Sequence, residues 1–216
     1  MIRALLFDFD GLIIDTESAI YQAWRELYAD HGHPLPIERW SQCVGTDFGA
    51  YNPKADLEKL TGKDFDWRNE VAMREQRVNE LLTGFDALPG VRERLDEAAA
   101  LGLSCSVASS SPLTWIEPWL DKLELRSCFT NISSRDFVEK IKPAPDLFLH
   151  AAAQLGAAPD EVIVFEDSLN GLRAARAAGM KCVVVPGPTT QHLEFDGAWR
   201  ILHSLASTTL VELMQP

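Results

Sequence analysis

Leu5-Leu6-Phe7-Asp8-Phe9-Asp10-Gly11-Leu12-Ile13-Ile14-Asp15-Thr16-Glu17 begins as an apolar run and breaks at two aspartates separated by one residue, followed by glycine. Apolar residues bounded by turn signals read as a buried strand. Charge at the end of such a strand is costly to bury unless it faces a cleft or a cation. In open α/β sheets, ligands bind outside the carboxyl ends of the strands. Residues two apart in an extended chain point the same way, so Asp8 and Asp10 can share one cation and still leave an oxygen free. A free carboxylate oxygen beside Mg²⁺ can attack a phosphoryl group and carry it as an acyl phosphate. Taken alone, Asp-x-Asp reads more readily as a strand ending in a polar turn; three later segments decide otherwise.

Five apolar segments, residues 3–8, 103–108, 128–132, 161–165 and 180–185, alternate with helical patterns. That rhythm predicts a parallel sheet with helices on both faces. Between Asp15 and Leu88 no strand-like run occurs. Tyr21, Trp24, Leu27 and Tyr28 fall at helical spacing, as do Val71, Arg74, Val78, Leu81 and Leu82. The expected organisation is an α/β core of residues 1–15 and 84–216, with a helical lobe of residues 16–83 inserted after the first strand.

The 216 residues suffice for one core and a smaller lobe. A formal net charge of −12 argues against a nucleic-acid or anionic-membrane partner, and it means that local cations must capture any phosphate. Cys43, Cys105, Cys128 and Cys182 are scattered without a Cys-x-x-Cys, the pattern of reduced core thiols in a cytoplasmic protein. Acids interrupt the apolar N-terminus, so neither a signal peptide nor a span is expected. A monomer is the expected state.

The second segment, Cys105-Ser106-Val107-Ala108-Ser109-Ser110-Ser111-Pro112, ends a strand in three serines. Pro112 suits the first position of a helix and Ser111 its cap; a hydroxyl beside free helix-start amides is a phosphate-oxygen site. In Glu139-Lys140-Ile141-Lys142-Pro143, proline holds Lys142 out of helix on a rigid turn. Its ammonium can neutralise both Asp8 and phosphoryl oxygens. Val162-Ile163-Val164-Phe165-Glu166-Asp167-Ser168 again ends a buried strand in carboxylates. Adjacent acids repel, so Glu166 and Asp167 need a cation or hydrogen bonds to stay ionised together.

Asp-x-Asp-Gly, a strand-end serine, Lys-Pro-x-Pro and Glu-Asp-Ser-x-x-Gly, in this order over nearly the whole chain, resemble the haloacid dehalogenase superfamily of aspartyl-phosphate hydrolases. The insert resembles the helical cap of the branch containing β-phosphoglucomutase and small sugar-phosphate phosphatases. The resemblance implies a doubly wound, Rossmann-like parallel sheet of five or six strands with an all-helical cap. It implies a nucleophile at Asp8, a general acid/base at Asp10, and phosphate ligands at Ser109 and Lys142. Mg²⁺ is implied on Asp8, Asp10 and Asp167, with Glu166 either a direct ligand or one step removed. It also raises the expectation of a cis Lys142–Pro143 bond. Substrate contacts are expected from Gly11, Thr16, Ser110 and the cap loop Gly45-Thr46-Asp47.

Two departures narrow the chemistry. Ile20 stands where the mutases carry a histidine, and Val44-Gly45-Thr46-Asp47-Phe48 lacks the arginine with which they hold a second phosphate. Hydrolysis of a small phosphorylated metabolite, a sugar or polyol phosphate, is therefore expected over a phosphosugar mutase. Asp10 two residues after Asp8 favours ester over carbon–halogen cleavage, since a leaving alkoxide needs a proton. A signalling receiver would share the strand-end acids but has no cap to close. Trp115 and Trp119 read as packing residues, Trp115 with the option of facing the cap. His31, His33, His150, His192 and His203 read as structural or exposed.

Overall fold

A computed structural model describes the chain except residues 47, 49, 50 and 216. Its elements are β1 (Ala4–Phe7), α1 (Thr16–Asp30), α2 (Ile37–Trp40), α3 (Pro53–Thr61), α4 (Trp67–Leu81), α5 (Val91–Ala100), β2 (Ser104–Ala108), α6 (Leu113–Lys122) and β3 (Asn131–Ser133). They continue with α7 (Asp146–Gln154), β4 (Val162–Glu166), α8 (Leu169–Ala177), β5 (Lys181–Val184), β6 (Arg200–Ile201) and α9 (Leu210–Met214). All neighbouring strands are parallel, in the order β3-β2-β1-β4-β5-β6. The order reverses at β1, the position where a doubly wound sheet opens a crevice.

Alternation along the strands divides the core into two layers. Leu5, Phe7, Val107, Ile163, Phe165 and Val183 face a cluster closed by Val91 and Leu95 of α5, Ile116 and Leu120 of α6, and Leu210 and Leu213 of α9. Ala4, Leu6, Ala108, Val162, Val164 and Cys182 face the opposite layer, covered by Phe148 and Ala151 of α7 and by Leu172 and Ala175 of α8. The central strands β1 and β4 are buried on both faces, which is why they read as continuous apolar runs.

Helices α1–α4 occupy Thr16–Leu81, with no strand among the described residues of that interval. They have their own apolar cluster of Trp24, Tyr28, Leu35, Trp40, Cys43, Val44 and Leu57. Asp15 caps α1 by accepting from the Ser18 amide at 3.1 Å, so the acid that ends the first motif also starts the inserted lobe. The chain's two crossings between lobes meet where the Leu88 N–H donates to the Ile13 carbonyl at 2.8 Å.

Three expectations need correction. Strand β3 lies at Asn131–Ser133, because Arg126–Cys128 turns as a short 3₁₀ helix before it. Helix α6 starts one residue later than expected, with Pro112 as its N-cap and no side-chain cap; its first amide, Leu113 N–H, donates to Asp136 Oδ2 at 2.8 Å. Cys128 is exposed, whereas the other three thiols are buried and all four are free.

Candidate active site

Strand registers assemble the site. Phe7 pairs with Val107 on one side and Phe165 on the other, so the residues that follow each strand leave the sheet together. Asp8 emerges between the serines after β2 and the acids that end β4. Its amide donates to the Phe165 carbonyl at 3.0 Å, which fixes the backbone from which the carboxylate projects.

Lys142 joins the acids. Its ammonium, fully buried, donates to Asp8 Oδ1 and to Glu166 Oε1, each at 2.6 Å. The Lys142–Pro143 peptide is cis. Burial works against the lysine's charge, but Asp8 and Glu166 together hold its pKa above the usual range. For Asp8, burial and then the Glu166 charge raise the pKa to about 8, with Lys142 pulling the other way.

Glu166 and Asp167 are adjacent but have opposite surroundings. Glu166 Oε1 receives Lys142, while Oε2 receives the Asp167 and Ser168 amides and the Ser168 hydroxyl, each at 3.0 Å. The carboxylate nests against Gly171 in the first turn of α8, where a Cβ would lie 1.8 Å from it. Glu166 thus belongs to the acidic group but has its oxygens engaged by four donors. Asp167 is equally buried, and neither of its oxygens has a partner among the described residues. Burial, then Glu166 and Asp8, push its pKa well above the ordinary value. Buried orphaned carboxylate oxygens are rare because each carries a desolvation cost. One oxygen from each of Asp8, Glu166 and Asp167 lies within 4.8 Å of the others, a hard, oxygen-rich set facing a single ammonium. That donor set suits Mg²⁺.

Asp10 is held by side chains from three segments. Thr16 Oγ1 at 2.6 Å and Trp115 Nε1 at 2.9 Å donate to its Oδ1; Ser111 Oγ at 2.6 Å and Ser109 Oγ at 3.5 Å donate to Oδ2. Ser111, expected as a helix cap, is therefore a partner of Asp10. Ser109 is buried, and its hydroxyl also accepts the Ser111 amide at 3.0 Å.

Asp8, Asp10, Ser109, Ser110, Gly45 and Thr46 line one pocket of about 190 Å³. Lys142, Glu166 and Asp167 do not line it and reach it through Asp8. Gly11, expected to touch substrate, lies against Asp167, whose Oδ2 would be 2.2 Å from a Cβ there, and does not line this pocket; its φ of +82° is a second reason for glycine. Thr16 is spent on Asp10. The cap loop is docked on the core: Ser110 Oγ donates to the Gly45 carbonyl at 2.9 Å, Thr46 Oγ1 to the Lys142 carbonyl at 2.5 Å, and Asn170 Nδ2 to the Val44 carbonyl at 2.9 Å. Asp47 lies outside the described residues.

Two residues of the site escaped the sequence reading. Trp115 reaches Asp10 through its indole N–H, although its four-residue spacing from Trp119 marked it as packing. Glu17, in the first turn of α1, is buried in the pocket wall; burial, then Asp10 and Asp8, raise its pKa well above normal, against a hydrogen bond from the Gly45 amide. An acid two residues after the Asp15 cap was the available signal, and it is indistinguishable from ordinary helix-start charge.

The family model for haloacid dehalogenase-like hydrolases matches residues 5–185. The chain belongs to that family. It is 41% identical over 214 residues to YhcW of Bacillus subtilis (strain 168), covering 99% of this chain and 97% of that protein. With hexitol phosphatase B of Escherichia coli (strain K12) it shares 33% over 197 residues, 88% of this chain and 86% of the other. Among solved haloacid dehalogenase-like structures, CbbY from Rhodobacter sphaeroides in complex with phosphate superposes with a TM-score of 0.78 at 30% identity, covering 100% of both chains.

Proposed function

We propose that this protein is a Mg²⁺-dependent phosphoric monoester hydrolase that acts through an aspartyl-phosphate on Asp8, with a sugar or polyol phosphate as substrate. The observation that carries the reading is the contrast at the strand ends. Asp8 is gripped by Lys142, while beside it Asp167 keeps two buried oxygens without a partner among the described residues. Membership of a hydrolase family and similarity to a hexitol phosphatase and to a phosphate-bound CbbY support it.

The metal would be held by Asp8, Asp167 and the main-chain carbonyl of Asp10, with Glu166 positioning Lys142. When bound, Mg²⁺ supplies charge neutralisation on the phosphoryl oxygens. A carboxylate oxygen of Asp8 attacks phosphorus as the ester P–O bond breaks, and Asp10 gives the leaving alkoxide its proton. Asp10 then takes a proton from water, whose oxygen attacks the acyl phosphate and releases phosphate and free Asp8. Protonating Asp10 requires it to give up a donor, and the 3.5 Å contact from Ser109 is the one lost at least cost. Lys142 and Ser109 balance charge on the transferring group. The helical segment of residues 16–83 serves as the cap that excludes bulk water during transfer. The protein is expected to work as a cytoplasmic monomer.

The test is hydrolysis of a broad monophosphate panel with Mg²⁺ by wild type and by Asp8→Asn, which is nearly isosteric but poorly nucleophilic. Turnover by wild type and a loss of at least about 10³-fold in the variant are expected, the scale set by removal of a covalent nucleophile. Near wild-type turnover by Asp8→Asn would refute the assignment. Efficient phosphoglucomutase activity with a bisphosphate activator would replace hydrolysis with the mutase reading.

A further inference from the structure

We propose that the ester cleaved here carries a second oxyanion, a carboxylate or a phosphate, at the far end of its leaving group, held by Arg135 from the core and Arg74 from the cap. The proposal rests on the hydrolase reading above and adds its substrate class.

The catalytic pocket opens directly into a second cleft of about 580 Å³ between α4, α1 and the start of α6. The two share Ile20, Phe48, Ser111, Pro112 and Arg135, so a leaving group rooted at Asp8 and longer than a few atoms extends into that cleft. Arg135 stands at the junction and lines both spaces. Its backbone is fixed by donation from its amide to the Ser111 carbonyl at 3.3 Å, and its side chain has no carboxylate within ion-pair distance among the described residues.

Across the cleft, Arg74 projects from α4 with its guanidinium 3.9 Å above the Trp24 ring. One of its terminal nitrogens is buried and has no hydrogen-bond partner among the described residues. A buried donor on a charged group without an acceptor costs free energy that an incoming oxyanion would recover. Burial lowers the pKa of Arg74 to about 10, so it remains a cation at neutral pH. Arg3, Arg39, Arg77, Arg92 and Arg94 are each paired with a carboxylate, and the other arginines without an ion pair among the described residues, such as Arg25, Arg126 and Arg173, do not line the cleft as Arg74 and Arg135 do. In a chain of net charge −12, two arginines left without a carboxylate at one cleft form a local anion trap. Asn79 and Thr114 add neutral donors along the same wall, and Glu75 supplies an opposing charge that sets where an anion can sit.

The experiment compares matched esters: sorbitol 6-phosphate, gluconate 6-phosphate and glucose 1,6-bisphosphate, with wild type, Arg135→Gln and Arg74→Gln. In wild type, kcat/KM for at least one anion-bearing ester should exceed that of the hexitol ester by about tenfold, the worth of one charge-assisted contact. That ratio should fall to about threefold or less in each variant. The carboxylate and phosphate arms tell which oxyanion fits. Equal or better use of the neutral ester by wild type, or a ratio unmoved in both variants, would overturn the proposal. A second measurement separates it from the hydrolase reading: calorimetric binding of the same esters to Asp8→Asn and to Asp8→Asn/Arg135→Gln. If no ester turns over, hydrolysis fails, while an arginine-dependent gain in binding still upholds the anion site and its absence refutes it.

Discussion

The strand-end site of the core and the cleft beneath the cap handle charge in opposite ways. In the core, Lys142 meets Asp8 and Glu166 at 2.6 Å each, buried, and Glu166 is further satisfied by three donors from the start of α8. In the cleft, neither Arg74 nor Arg135 is held in an ion pair among the described residues, with Glu75 the opposing charge on the same wall, and the cap loop docks mainly through backbone carbonyls. The core is therefore organised before any ligand arrives, as catalysis by fixed charges requires. The cleft is completed by what binds. Chemistry shared across a family belongs in the first kind of region and selectivity in the second, where side chains from separate segments can change without disturbing the sheet.

The largest test of this contrast removes Lys142, the only buried ammonium among the described residues. Lys142→Met should cost about 3–5 kcal/mol in urea unfolding of the metal-free protein, because two buried carboxylates lose their partner. It should also lower kcat by at least about 10²-fold. A stability loss below about 1 kcal/mol would show that the triad is not what organises the site. Asp167→Asn comes next and acts in two directions. Half-saturation by Mg²⁺ in the activity assay should rise by at least about tenfold, while the metal-free fold gains stability. The sign follows from linkage: Asp167 titrates higher in the folded chain than in the unfolded one, so its penalty grows as pH rises above about 4 and is complete once the folded group has ionised. Metal-free wild type should therefore melt progressively further below Asp167→Asn as pH rises above about 4, and saturating Mg²⁺ should abolish or reverse the difference. Parallel melting curves at every pH would remove Asp167 from the metal site. The smallest effect is expected from Thr46→Val, which deletes one cap-to-core hydrogen bond: KM should rise about threefold to tenfold with little change in stability. Unaltered KM would mean that docking of this loop does not limit substrate retention.

What the sequence disclosed follows the same division. Asp8, Ser109 and Glu166-Asp167 were legible because each sits where an apolar run stops, and the parallel sheet brings those stops to one edge; Lys142 was legible from the proline that follows it. Glu17 and Trp115 were not, because their importance comes from packing across elements: an indole on α6 meeting Asp10, and an acid on α1 folded under the cap loop. The exchange of roles at Ser111 and Pro112 was hidden because the amide of Leu113 found Asp136, more than twenty residues away in the chain, instead of a local cap. Strand β6 was missed for a simpler reason. Two exposed residues at a sheet edge, Arg200 and Ile201, carry no periodicity. Of the two cleft arginines, Arg74 was read as part of a helical stripe and Arg135 was not singled out, since nothing in the local pattern tells an arginine with a carboxylate partner from one without.

The bond from Leu88 N–H to the Ile13 carbonyl has a mechanical consequence. Both strands of chain that tie the lobes together are pinned to each other at that spot, so sliding the lobes apart would break it while swinging them would not. The clasp makes a fulcrum. Glu17, a few residues from it, barely shifts when the upper lobe turns, and the acid stays beside Asp10 through the swing. The far end of α1, about 22 Å away at 1.5 Å per residue, sweeps about 4 Å for a turn of about 10°. Leverage of this kind lets a small torsional adjustment near Asp15 open a wide mouth at the rim while the wall nearest the chemistry keeps its place.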